Sequence, residues 1–313
     1  MGQHTVTVLC GGVGGSRFLR ALVSVVAPER ITAIVNTGDD DEFHGLYVSP
    51  DPDIVTYALA GEVDDGRGWG LRADTFRWLD ALRRFGRETW FRIGDRDLAT
   101  HLHRTRLLSE GWTLSQVTAD ITRAFRVRVH LLPMSDDPVR TIVTTDDGDL
   151  SFQRYLVQEH ASPPVRAVRF DGADTARPAP GVLDAIAEAD AVLIAPSNPI
   201  ASIRPILAVP GIRDALARAR RPRVAVSPII GGRSLQPPAG EMMAGLGLAV
   251  DVTGVAAAYE GLIDALVIDE VDAPLAEGVR ARGIRPTVAQ TLMSAAAASR
   301  RLAEAVLRAA ALT

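Results

Sequence analysis

Three groups of residues in this chain have types and spacings suited to chemistry on a phosphate. Residues 9 to 15 read Leu9-Cys10-Gly11-Gly12-Val13-Gly14-Gly15. A strand that ends in glycines and opens a helix lets backbone N–H groups approach an anion closely, so Gly11, Gly12, Gly14 and Gly15 form a candidate phosphate cradle. An acidic cluster, Asp39-Asp40-Asp41-Glu42, follows about one βα unit later, and Asp51-Pro52-Asp53 comes after it in what reads as the same loop. One carboxylate from each group would suit Mg²⁺, which commonly takes one or two carboxylates and fills its shell with phosphate and water. Together these residues point to nucleotide or pyrophosphate chemistry. Two plainer readings stand beside that one. A ligand-free strand-to-helix turn also needs glycine, and charge runs often form solvated loops.

Further candidates lie downstream. Gly94-Asp95-Arg96-Asp97 is a charged turn at a helix start, where Asp95 or Asp97 could equally cap first-turn amides. His101 and His103 follow, but an H-x-H pair does not share a helix face, which argues against zinc. Ala195-Pro196-Ser197-Asn198-Pro199 and Ser227-Pro228-Ile229-Ile230-Gly231-Gly232 are two stiffened polar loops. They suggest a second set of phosphate or base contacts; turn chemistry alone is the alternative. The glycine run departs from G-x-G-x-x-G because Arg17 stands in the last glycine's place, and it lacks the Lys-Ser/Thr of a P-loop.

The elements that must position these residues follow from hydrophobic period. Thr5 to Cys10 reads as a buried strand, Ser16 to Val26 as a helix, and Ile31 to Asn36 as a second strand. A β–glycine loop–α–β opening predicts a Rossmann-like, doubly wound α/β fold, with a mainly parallel sheet and helices on both faces. The polar stretch from Thr37 to Pro52 then reads as a loop at a strand's carboxyl end, where such sheets bind ligands. Residues 53 to 130 read as a largely helical insertion, clearest over Thr75–Phe85 and Leu114–Phe125. A β-hairpin is expected over residues 139 to 157, around Asp146-Asp147-Gly148-Asp149. From Val165–Phe170 the βα rhythm resumes, through strands at 191–195, 223–227, 265–268 and 284–288, to a closing alanine-rich helix over 289–311. One α/β domain spanning residues 1 to 313 is the expected organisation.

Composition narrows the function classes. The net charge of −4, with 23% charged residues, provides no basic face for a nucleic acid. The single cysteine, Cys10, rules out an intramolecular disulfide. No run of 18 apolar residues exists to span a membrane, and Met1-Gly2-Gln3-His4-Thr5-Val6 lacks the basic and apolar regions of a leader. A cytoplasmic protein is expected.

In order along the chain, Gly11-Gly-Val-Gly-Gly, Val35-Asn-Thr-Gly-Asp-Asp, Ser49-Pro-Asp-Pro-Asp, Gly94-Asp-Arg-Asp-Leu-Ala-Thr-His, Leu132-Pro-Met-Ser-Asp-Asp-Pro-Val, Ala195-Pro-Ser-Asn-Pro and Ser227-Pro-Ile-Ile-Gly-Gly resemble the 2-phospho-L-lactate transferase family, in register from about residue 5 to 300. The resemblance implies a Mg²⁺-dependent transfer in coenzyme F-420 biosynthesis. The ribityl hydroxyl of 7,8-didemethyl-8-hydroxy-5-deazariboflavin would attack a phosphorus of a guanosine diphospho-linked three-carbon acid, with release of GMP. The acid could be phospholactate, phosphoenolpyruvate or phosphoglycerate. By motif position, Asp39 and Asp53 match metal- and acceptor-associated carboxylates. Asp39 is taken as the principal metal ligand and Asp53 as the base for the hydroxyl proton. Arg92 matches a position where some members place an acceptor-binding lysine, here with a planar fork replacing a point charge. The Gly11 to Gly15 loop, Asp95, Asp97, Ser197 and Asn198 complete the implied substrate contacts. The family's habit, and the apolar closing helix, suggest a homodimer.

Two rival readings remain. A fold-related nucleotide-sugar-binding regulatory protein would share the glycine loop, but its acidic turn is expected to run Asp-Asp-Gly-Gly-Ser, whereas Asp41-Glu42-Phe43 follows here. A nicotinamide-dependent dehydrogenase suffers from the broken glycine fingerprint and has no lone acid placed to read a ribose.

Overall fold

The computed structural model describes residues 4–312; Met1–Gln3, part of the stretch read for a leader, and Thr313 lie outside it. Alternating apolar residues at the start of the chain form β1 (Val6–Cys10), followed by helix α1 (Gly12–Leu22) and β2 (Ile31–Val35). A short hairpin, β3 (Asp41–Phe43) and β4 (Leu46–Val48), precedes α2 (Pro50–Leu59), α3 (Arg77–Leu82), α4 (Asp97–Ser109) and α5 (Leu114–Ala124). Then come β5 (His130–Pro133), β6 (Arg140–Thr145), β7 (Gly148–Ser151) and β8 (Ala167–Asp171). The remaining strands are β9 (Ala191–Ile194), β10 (Arg223–Val226), β11 (Ile229–Ile230), β12 (Arg233–Ser234), β13 (Ala265–Ile268) and β14 (Arg285–Val288).

Seven strands make one parallel sheet in the order β14-β13-β10-β9-β1-β2-β5. This is the doubly wound α/β arrangement expected from the opening βαβ unit. β1 is central and buried along its length, and its side chains alternate between two apolar layers. Val6, Val8 and Cys10 pack with Phe18 and Leu19 of α1, Val55 of α2, and Leu302 and Val306. Leu9 packs on the other face with Ile194, Ile200 and Ile203. Cys10 is buried in the first layer, and burial pushes its thiol well above the usual range, so it is not a nucleophile.

Several expected boundaries move, each for a physical reason. α1 starts at Gly12 rather than Ser16, so the glycine run is the helix's first turn. Asp51 and Asp53 also lie in a helix, the first turn of α2, because Pro50 at its start fits the helical φ. The strand expected at 165–170 is β8, but it pairs antiparallel with β6 rather than joining the main sheet. Its pattern explains this: Val168 and Phe170 face inward while Arg169 and Asp171 face out, which suits a small half-exposed sheet. That side sheet, in the order β7-β6-β8, contains the expected hairpin. The closing helix begins at Ala296 rather than Ala289, since Thr291 is tied by its N–H and hydroxyl to the Asp269 carboxylate at 2.8 and 2.9 Å. Its apolar side, with Leu302 and Val306, is buried within the chain.

Candidate active site

Strand order reverses between β1 and β9. From β1 the chain proceeds to β2 on one side; from β9 it proceeds to β10 on the other. A crevice opens at the carboxyl ends of strands at such a point. Here the glycine turn after β1 meets the 195–198 loop after β9. The Ser197 hydroxyl donates to the Gly11 carbonyl at 2.7 Å and accepts from the Gly11 N–H at 3.1 Å. A Cβ at Gly14 would lie 2.1 Å from the Pro196 carbonyl oxygen, and one at Gly11 would lie 2.3 Å from Asp51 Oδ2. Gly12 has φ +63°, a left-handed value that favours glycine. Close packing therefore requires Gly11 and Gly14, while Gly12, Val13, Gly14 and Arg17 line a cavity of about 480 Å³. The amino end of α1 is thus placed beside that cavity, a position that favours anions.

The acidic residues divide by role. Asp39, Asp51 and Asp53 line the cavity. Asp39 Oδ1 and Asp53 Oδ2 are buried without a hydrogen-bond partner. Burial, and then the neighbouring Asp51 charge, holds the Asp39 carboxyl well above its usual range. Burial raises Asp51 as well, opposed by the Asn36 amide, which donates to Asp51 Oδ2 at 2.9 Å. Asp40 faces away: Ser49 Oγ donates to it at 2.8 Å and Tyr47 Oη at 3.0 Å, while burial pushes it up to about 7. Asp41 and Glu42 belong to β3 and are not among the residues lining the cavity. Among the described residues no cage of three or more His, Cys, Asp or Glu exists. Asp39 and Asp53 both line the cavity, and one or two carboxylates are what Mg²⁺ commonly takes, with phosphate and water as its remaining ligands.

Asp97 and His101 line another part of the cavity with Tyr57. The Tyr57 hydroxyl donates to Asp97 Oδ1 at 2.6 Å, and His101 Nε2 lies 3.4 Å from Asp97 Oδ2. Burial raises the Asp97 carboxyl, but the His101 and Tyr57 bonds outweigh it and hold the group below its usual value. Arg104, only 2% exposed, pairs with Asp53 Oδ1. His103 points elsewhere and pairs with Asp120 at 2.8 Å. Sequence reasoning offered Asp51 only as one of the Asp51-Pro52-Asp53 carboxylates and missed Asn36, His101 and Arg104 as members of the site. The available signal was helical spacing: Asp97, His101 and Arg104 recur at i, i+4 and i+7 on one face of α4.

Arg92 lines the cavity beside Trp69, Trp90 and Phe91, with its guanidinium 4.1 Å from the centre of the Phe76 ring. Ser197 and Asn198 also line it, but both have structural partners. Asn198 Oδ1 accepts from the Ile200 and Ala201 N–H groups at 2.9 and 3.2 Å, capping the next helical turn. The polar Ser227 hydroxyl is likewise engaged in its own loop, donating to the Ile229 carbonyl at 2.9 Å.

Asp95 does not line the cavity. Its carboxylate accepts from the Thr75 hydroxyl and from the Arg77 and Trp78 N–H groups at 3.2 and 3.0 Å, at the start of α3. Asp95→Ala is expected to lower the melting temperature while leaving KM for both substrates unchanged. A large rise in either KM without loss of stability would return Asp95 to the substrate site.

A glycine turn at a switch point, beside the carboxylates of Asp39, Asp51 and Asp53, is the kind of crevice that α/β enzymes use as a site. Comparisons narrow the class. The family model for 2-phospho-L-lactate transferase CofD matches residues 6–302. A phosphoenolpyruvate transferase of Kitasatospora aureofaciens is 44% identical over 309 residues, covering 96% of each chain. A 2-phospho-L-lactate transferase of Methanosarcina acetivorans is 40% identical, covering 96% of this chain and 97% of its own. The crystal structure of a UPF0052 family member from Bacillus halodurans superposes with a TM-score of 0.69 at 21% identity, covering 98% of this chain and 99% of that one, and shows the shared fold. This chain belongs to the 2-phospho-L-lactate transferase family, and it is a transferase.

Proposed function

We propose that the cavity transfers a phospho-three-carbon-acid unit from a guanosine diphospho-linked donor to the ribityl hydroxyl of 7,8-didemethyl-8-hydroxy-5-deazariboflavin, in coenzyme F-420 biosynthesis. One observation carries this reading: Asp39 and Asp53, each with a carboxylate oxygen that makes no hydrogen bond, line a cavity that the amino end of α1 also lines. The acceptor oxygen forms a bond to the phosphorus that carries the three-carbon acid. The bond from that phosphorus to the bridging oxygen breaks, and GMP leaves with the electron pair. Asp53 is the residue assigned to take the hydroxyl proton.

Asp39 and Asp53 would hold Mg²⁺, which supplies neutralisation of phosphate charge when bound. The chain's own part is alignment: transfer of this kind needs little covalent help from the protein. Arg92 and the Trp69–Trp90–Phe91 wall give the aromatic acceptor a cationic and apolar surface. The 44% identity to a phosphoenolpyruvate transferase supports phosphoenolpyruvate as the unit carried. A cytoplasmic homodimer belongs to the same reading; among the described residues no helix is long and apolar enough to cross a membrane.

Mass spectrometry of the product, with the deazaflavin, Mg²⁺ and each of the three donors in turn, tests this directly. The phosphoenolpyruvyl phosphodiester is the expected product. No phosphodiester from any donor would overturn the transferase assignment to these substrates. Thermal stabilisation by a uridine-diphospho-sugar alone would favour the regulatory alternative.

A further inference from the structure

Among the described residues Arg104 is one of the largest side chains that the fold buries almost completely, and the proposed reaction gives it no task. It extends from α4 and contacts one of the two bare-oxygen carboxylates. Its guanidinium Nη2 donates to Asp53 Oδ1, while Oδ2 makes no hydrogen bond and stands 3.7 Å from His101 Nδ1. Nη1 is held in turn, 3.2 Å from His101 Nδ1 and 3.4 Å from the Tyr47 carbonyl.

The donor count sets the direction of this chain. A guanidinium only donates, so His101 Nδ1 accepts and the imidazole proton lies on Nε2. Nε2 faces Asp97 Oδ2 at 3.4 Å, and Asp97 Oδ1 is held by the Tyr57 hydroxyl at 2.6 Å. Tyr57, Asp97, His101 and Arg104 therefore form a connected row of contacts that ends on the Asp53 carboxylate, with Arg104 on Oδ1 and His101 Nδ1 3.7 Å from Oδ2. Every side chain in it is buried. An arginine fork has a fixed plane, so it limits the Asp53 carboxylate to one rotation as well as matching its charge.

We infer that Arg104 is a positioning residue: by holding Asp53 through Oδ1 it fixes the rotation of that carboxylate at the wall of the cavity. This inference rests on the assignment of Asp53 to magnesium and to the acceptor hydroxyl. It adds that the orientation of Asp53 is imposed from α4 rather than by α2, on which Asp53 sits.

Arg104→Lys tests it, because lysine keeps the charge and loses the fork. The expected result is a folded protein with kcat lowered about 10²-fold, in the range seen when a preorganised group is displaced. KM for the donor is expected to stay within about threefold, because the cradle is untouched. Without substrates, the midpoint of magnesium-induced thermal stabilisation is expected to rise about tenfold in Arg104→Lys. Removing one partner of a buried pair is strongly destabilising, so Arg104→Lys could fail to fold. His101→Leu then gives the second reading: it removes the acceptor for Nη1, keeps the Arg104–Asp53 pair, and is expected to lower kcat about 5- to 20-fold.

A folded variant with wild-type kcat and an unchanged magnesium midpoint would overturn the inference. So would a wild-type protein whose melting temperature does not respond to magnesium while transfer proceeds. The melting measurement uses neither donor nor acceptor, so loss of the proposed reaction and loss of the Arg104 role give different results.

Discussion

Asp39→Ala is expected to slow transfer by about 10² to 10³, the loss typical of removing one preorganised electrostatic group from a reacting centre. The same change is expected to leave the folded state as stable as before, or more so. The two effects have one cause. Asp39 is 5% exposed, its Oδ1 has no hydrogen-bond partner, and its charge is opposed by burial and by Asp51. A buried carboxylate in that setting costs folding energy, and an apolar replacement removes the cost. Loss of rate with retained stability therefore separates a role in the reaction from collapse of the site. Steady-state kinetics and a thermal melt, run on the same preparation across a magnesium series, check both. Near wild-type turnover with unchanged magnesium dependence would remove Asp39 from the metal site.

Gly14→Ala is expected to act in the opposite way, through the fold. The added methyl would sit 2.1 Å from the Pro196 carbonyl oxygen, which belongs to backbone and cannot rotate aside as a side chain can. Relief requires α1 and the 195–198 loop to separate, which would also break the two bonds between Gly11 and Ser197. Overpacking in a dense interior typically costs about 1 to 3 kcal/mol, and the loss of the clamp adds about 1 kcal/mol for each net bond. A destabilisation of about 3 kcal/mol or more is expected, read as a lower denaturant midpoint with an unchanged slope. Equal stability of Gly14→Ala and wild type would mean that the two loops are not packed as described.

The frame of the molecule was legible because its strands carry their own signal. Apolar runs such as Val6–Cys10 and Ala191–Ile194 are buried on both faces and bounded by turn residues, as central parallel strands must be. β8 was not assignable from its own residues, because partners are chosen by the sheet rather than the strand: Val168 and Phe170 pair with β6, which precedes them by a full connection. The site was partly legible for a related reason. Glycines and clustered carboxylates stand out by type, so Gly11, Gly12, Gly14, Asp39 and Asp53, all of which line the cavity, were singled out, whereas Gly15 packs away from it against Cys10 and Ser197. His101 and Arg104 matter through what α4 brings them against, and that depends on packing of α4 near α2. Asp95 shows the converse: a carboxylate at a helix start reads the same whether it meets a ligand or an N–H, and here it meets the N–H groups of Arg77 and Trp78.

The clamp between Gly11 and Ser197 also bears on how the protein comes into being. Its two halves stand 186 positions apart, and β1 gains its second neighbour only from β9. Pairing at such separation is slow, since a long loop must close before any contact compensates for it. While the chain is being synthesised from its amino end, β1 carries an open edge until residues 191–194 emerge, and an open edge invites wrong pairing. A nascent chain that stops short of β9 contains both Asp39 and Asp53, yet lacks the loop after β9 that forms one wall of the cavity.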